Sequence, residues 1–154
     1  MQLNPSAAKP RLEKLPALFA GWPAVLTVYL FGSQAAGEAT PFSDVDLAVV
    51  YDGPVSWREE ADLEVAVADA LGVDEVDLLN LERLDALFRY RIIATGRLVY
   101  ERDPVRAADF VEKALVDYWD CAAFYARSLG DYMVSLEHEY ANRPRQSAAA
   151  ARDH

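Results

Sequence analysis

Two aspartates one residue apart, Asp44 and Asp46, stand at the front of an apolar run that ends at Tyr51. An acid inside a hydrophobic run is costly to bury unless something cationic meets it. Side chains on a strand alternate between faces, so positions 44 and 46 present two negative charges side by side. A divalent cation makes that arrangement tolerable. Ten residues separate Asp44 from Gly32-Ser33, which closes another apolar run, Val25 to Phe31. Residues 34 to 38 could form one helical turn starting at Ser33, whose backbone N–H groups would cradle a phosphate, with the Ser33 hydroxyl added. A serine there could instead merely cap the turn. The aspartate pair at this distance favours phosphate contact.

The whole pattern (Gly-Ser, ten residues, Asp-x-Asp) resembles the signature of the nucleotidyltransferase superfamily that includes DNA polymerase β and the aminoglycoside nucleotidyltransferases. The chain looks like a member of its shortest branch, the minimal nucleotidyltransferases, over residues 25 to 103. The resemblance implies a small α/β (α+β) fold, a mixed β-sheet flanked by helices. It also implies a third carboxylate from a third strand. The run Val73 to Leu81 offers Asp74, Glu75 and Asp77. Asp74 and Asp77 have opposite parity, so they cannot both face the site. VDLLNL and the later ALFRYRIIATGRLVYERD resemble the family's closing segment, which picks Asp77 and leaves Asp74 as the alternative.

Nucleotidyl transfer would use such a site as follows. Two Mg2+ ions, held by Asp44 and Asp46, would neutralise the triphosphate and the charge developing on the attacking and leaving oxygens. Asp77 would complete one ion's shell and could help deprotonate an attacking hydroxyl. Gly32 and Ser33 would position the β- and γ-phosphates, and pyrophosphate would leave. Minimal nucleotidyltransferases commonly pair with a small all-helical HEPN ribonuclease as a toxin–antitoxin system. The resemblance therefore implies an antitoxin that moves AMP from ATP to a tyrosine of its HEPN toxin, in a hetero-oligomer with it. Many relatives carry arginines in the pattern Gly-Ser-Arg-x-Arg-Gly, where this chain has Gln34 and Ala36. That departure keeps a non-catalytic, binding-only antitoxin in view. A small-molecule nucleotidyltransferase of the aminoglycoside type is the other alternative.

Composition narrows the partners. A formal net charge of −10 over 154 residues repels nucleic acid phosphates, so direct nucleic acid binding is not expected. The same acidity suits a basic partner protein. Cys121 is the only cysteine, which fits a reducing cytoplasm. No apolar run approaches the ~18 residues that span a bilayer, and His138 and His154 lack companions for a zinc site.

The elements that must position these residues follow from periodicity. Leu12 to Ala20 reads as a short helix, with Pro16 suited only to a first turn. Val25 to Phe31 and Asp44 to Tyr51 read as strands, the second with its odd positions packing on one side. Residues 56 to 71 form a helix with Ala61, Val65, Ala68 and Leu71 inward, Ser56 and Glu59 as a capping box, and Gly72 as its stop. Val73 to Leu81 is the third strand, Leu84 to Ala94 a helix, and Arg97 to Glu101 a last strand. Arg83, Arg89, Arg91 and Arg97 form the densest positive cluster, for which surface pairing is the plain reading.

Residues 1–103 thus make a nucleotidyltransferase core. Asp103 and Pro104 open a second region, 104–142, a long helical segment with Val111, Leu115 and Tyr118 starting its apolar stripe. Apolar residues off that stripe suit packing on the core and on a partner. Residues 143–154 read as a disordered tail.

Overall fold

Five of the seven residues from Val25 to Phe31 are β-branched or aromatic, the composition of a pleated and buried strand. In the computed structural model, which describes residues 10–32, 35, 37 and 45–142, this segment is strand β1. It lies inside a four-stranded mixed sheet. A 3-10 turn over Leu12–Lys14 leads into helix α1, Leu15–Ala20. Pro16 sits in the first turn of α1, where its missing N–H costs nothing. After β1 come β2 (Val45–Tyr51), α2 (Trp57–Leu71), β3 (Val76–Asn80), a 3-10 turn (Leu81–Arg83), α3 (Ala86–Thr95), β4 (Arg97–Glu101) and α4 (Pro104–Ala141). The strand order is β3-β2-β1-β4. β1 pairs antiparallel with β2 and β4, and β2 pairs parallel with β3. A parallel neighbour needs a crossover connection, which α2 provides.

Both faces of the sheet are covered. On one, Leu15 and Phe19 of α1 and Leu63, Val67 and Leu71 of α2 pack on Val28, Leu30, Val45, Leu47 and Val49. On the other, Leu81 and Ile92 pack on Leu26, Tyr29, Ala48 and Val50, with Phe110 of α4 against them. The odd positions of β2 therefore share one side and the even positions the other, as its alternation predicts. In β1 the register shifts between Val25 and Thr27. Leu26 accordingly faces the side of Tyr29 rather than that of Val28 and Leu30.

Two sequence expectations shift. β3 begins at Val76, not Val73, which leaves Asp74 and Glu75 exposed in the connection before it. In α2 the buried stripe is Leu63, Val67 and Leu71, whereas Ala61 and Val65 are exposed. The larger side chains at every fourth position remove more apolar surface from water than the alanine-containing face would. The ends of α2 are as expected. Ser56 and Glu59 close a capping box, and Gly72 holds a left-handed φ of 71°. Leu63→Ala should destabilise the chain by ~2–5 kcal/mol and Val65→Ala by less than ~0.5 kcal/mol. Denaturant midpoints at constant slope read both. Equal losses would return the buried face to Ala61, Val65 and Ala68.

α4 starts as the sequence predicts. The Asp103 carboxylate accepts from the backbone N–H groups of Val105 (3.0 Å) and Arg106 (3.2 Å), satisfying donors that a helix start leaves open. Ala107 and Ala114 are buried, and Tyr118 stacks on Tyr90 of α3 at 3.9 Å between centroids. Leu115, expected inside, is 36% exposed, because the small alanines are what seat the helix. Asp52, at the end of β2, is held by Arg102 at 2.7 Å and by both terminal nitrogens of Arg106. The Arg106 hydrogen bonds come first among the causes that hold its carboxyl below the ordinary carboxylate value.

The chain divides into two compact units between Tyr118 and Trp119. The first contains the sheet, both core clusters and the opening turns of α4, and the second contains the rest of α4. Within α4, helix continues through Gly130. The expectation for 143–154 falls outside the described residues. Among the described residues no helix is long and apolar enough to cross a membrane.

Candidate active site

Gly32 follows directly on β1 and turns the chain with φ of 72°, a left-handed conformation that costs L-residues with a Cβ. A second constraint acts at the same atom. A Cβ built on Gly32 would collide with Oδ2 of Asp46 and lie 3.3 Å from its Cγ. The Gly32 turn and the Asp46 carboxylate are thus in direct apposition, although fourteen residues apart in sequence.

Register explains how they meet. Asp46 is the second residue of β2 and pairs with Phe31, the last residue of β1. On its other side Asp46 pairs with Asp77 of β3. Paired residues on neighbouring strands share a face, so Asp46 and Asp77 stand side by side. Their face is that of Ala48 and Val50, two and four residues on from Asp46. Asp46 is half-buried and Asp77 exposed. Carboxylates on paired strand positions bring together hard oxygen donors of the kind a divalent cation takes.

Of the predicted site residues, the structure brings Gly32, Asp46 and Asp77 together. Ser33 and Asp44 lie outside the described residues, as do Gln34 and Ala36. Asp74, the alternative to Asp77, lies in the connection ahead of β3 and has no place in the sheet register. No cluster of three or more metal-ligating side chains occurs among the described residues, so the two carboxylates are the donors in view.

Beside Gly32 opens a cleft of about 450 Å³ lined by Phe31, Gly32, Ala35, Phe88, Arg91, Ile92 and Thr95. That volume is in the range of small-ligand pockets, roughly 300–1,000 Å³. Phe31 and Phe88 meet edge to face at 6.3 Å and form its apolar wall. This wall was not singled out from the sequence. Helical periodicity puts Phe88 on the apolar side of α3, and the packing of α3 on this face is what brings it to Phe31.

The arginine cluster resolves into separate roles. Arg83 donates to Glu60 at 2.8 Å and lies 3.6 Å over the Trp57 ring. Arg89 donates to the carbonyls of Leu81 (2.8 Å), Glu82 (3.0 Å) and Leu84 (2.9 Å) and pairs with Asp117. Both are pairing residues that tie turns and helices together, as expected. Arg91 alone among the four lines the cleft.

A sequence model of a family described as polymerase beta, nucleotidyltransferase matches residues 13–105, well over half of the chain. Among solved structures, a toxin–antitoxin crystallised with AMP-PNP is similar at a TM-score of 0.69 and 23% identity, over 80% of this chain and 98% of that chain. The complex of a tri-AMPylated Shewanella oneidensis HEPN toxin with its MNT antitoxin is similar at a TM-score of 0.62 and 22% identity, over 79% of this chain and 95% of that one. The toxin–antitoxin MntA–HepT gives the same 0.62 and 22%, over 79% and 96%. At these identities the likeness shows a shared fold. No curated protein matches the sequence. With the family match spanning the sheet, the Gly32 turn and both paired carboxylates, the chain belongs to the polymerase β-type nucleotidyltransferases.

Proposed function

We propose that this chain is the antitoxin of a HEPN/MNT toxin–antitoxin pair in the cytoplasm, a protein adenylyltransferase that moves AMP from ATP to a tyrosine of its HEPN toxin. The observation that carries the reading is the juxtaposition of Asp46, Asp77 and Gly32 at one end of the sheet. The toxin–antitoxin structures that share the fold, one holding AMP-PNP and one a tri-AMPylated toxin, support the choice of acceptor.

In this reading the tyrosine oxygen attacks the α-phosphorus of ATP, the bond to the bridging oxygen breaks, and pyrophosphate departs. Asp44, Asp46 and Asp77 would hold Mg2+, two ions in all, through carboxylate oxygens. Bound there, the metal would offset negative charge on the triphosphate and on the attacking and leaving oxygens. Asp77, exposed at the sheet edge, would help accept the tyrosine proton. Gly32, lacking a Cβ, lets phosphate oxygens approach backbone N–H groups beside Asp46. Ser33 would donate its hydroxyl to the same phosphates.

A second reading keeps the fold and the partner but not the catalysis. Gln34 and Ala36 bring no charge to the turn after Gly32, which favours an antitoxin that simply covers its toxin. ATP labelled at the α-phosphate, added with Mg2+ and this chain to a purified HEPN toxin, separates the two. Label fixed on a toxin tyrosine supports transfer. Neutralisation of the toxin with no label leaves the binding-only antitoxin, and label on a small molecule in a host lysate moves the reading to an antibiotic-type enzyme.

A further inference from the structure

The cleft beside Gly32 holds one cation among the described residues. Arg91 projects from α3, the helix whose Ile92 packs on the sheet face that carries Asp46 and Asp77. Its guanidinium makes no hydrogen bond or ion pair with any described residue, whereas Arg83 and Arg89 are both engaged. Arg97 sits on β4 opposite Leu30 and does not line the cleft. The cleft therefore holds an available guanidinium together with Gly32, the turn that meets the Asp46 carboxylate, and has Phe31 and Phe88 as its wall.

We infer that Arg91 grips the polyphosphate of the nucleoside triphosphate in the cleft that it lines with Gly32. This rests on the nucleotidyl-transfer reading. The planar guanidinium presents paired N–H donors that match phosphate oxygens. The Phe31–Phe88 wall lowers the local dielectric and strengthens that attraction. A chain carrying a net charge of −10 must supply positive charge locally to hold a polyanion, and this is where the described residues supply it.

Calorimetric titration of the full chain with ATP and with AMP, both in Mg2+, tests the assignment. Arg91→Ala should weaken ATP about 10- to 100-fold, the range for a charge-assisted hydrogen bond, and weaken AMP much less. Arg91→Lys should recover part of the ATP affinity, because charge survives without the fork. Residue 91 is exposed on a helix, where alanine is favourable; should Arg91→Ala melt lower, Arg91→Gln carries the same test. ATP affinity within twofold of wild type in these variants overturns the role of Arg91 alone. A wild-type chain that binds no ATP overturns the nucleotidyl-transfer reading and this inference with it.

Discussion

Asp46→Asn should lower AMP transfer at least about 1,000-fold, at saturating ATP, while moving the melting temperature by no more than a few degrees. A thousandfold loss is about 4 kcal/mol of transition-state stabilisation, the several kcal/mol expected when a carboxylate that holds a catalytic cation loses its charge. Asparagine keeps the shape of the side chain, so the effect isolates charge. The flanking residues Val45 and Leu47 carry the packing of β2 and are untouched. A purely structural aspartate would show the opposite pattern, losing stability with little change in rate. Asp77→Asn should follow Asp46→Asn in direction, and Asp74→Asn should match wild type, because residue 74 precedes the strand. Transfer by Asp46→Asn within tenfold of wild type would remove it from the site.

The loss should fall on kcat more than on KM. On the proposed reading, the Gly32 turn and the cleft would still hold the phosphates when one carboxylate is gone. What disappears is an interaction that grows as charge develops in the transition state. A variant whose KM alone rose would point to Asp46 as a binding group and shift the catalytic burden elsewhere.

The strands were legible because runs of β-branched residues bounded by Gly and Pro leave few other solutions. Val25 to Phe31 and Val45 to Tyr51 are such runs. Helix ends were legible for a similar reason: Ser56 with Glu59, Gly72 and Asp103 each answer a specific need of an unpaired backbone group. Faces were harder. In α2 two sets of apolar residues compete, and periodicity alone favours neither; the sheet takes Leu63 and Val67 because it must fill its depth. In α4 the seat is made by Ala107 and Ala114, residues too small to register as a stripe. The start of β3 is not legible because Val73 has the composition of a strand, yet it follows the left-handed Gly72 into the connection ahead of Val76. At the site, the spacing of glycine and acid was visible, but the meeting of Asp46 with Asp77 is a matter of register between strand positions thirty-one residues apart in sequence. The part played by Arg91 needed the packing of α3 on the sheet, since four arginines within fifteen residues look alike in sequence.

Gly32→Ala should reduce transfer about 100-fold or more, a large effect for a single methyl group. Two costs fall on that methyl together. The φ of 72° costs an L-residue about 1–2 kcal/mol relative to glycine. The new carbon would also collide with Oδ2 of Asp46, so either the turn or the carboxylate must move. A displacement near 1 Å in a reacting constellation costs on the order of 100-fold. The carboxylate is the softer of the two, being the end of a side chain rather than backbone, so the Asp46 carboxylate is what shifts. Gly37 supplies the control. It too has a φ of 72°, yet nothing lies within 4 Å of where its Cβ would be. Gly37→Ala should therefore carry the backbone cost alone and keep most of the activity. If both variants lose activity equally, backbone strain accounts for the effect and the apposition of Gly32 with Asp46 does not. If Gly32→Ala alone loses it, with its melting temperature no lower than that of Gly37→Ala, the glycine is there to let the phosphate turn and the carboxylate touch.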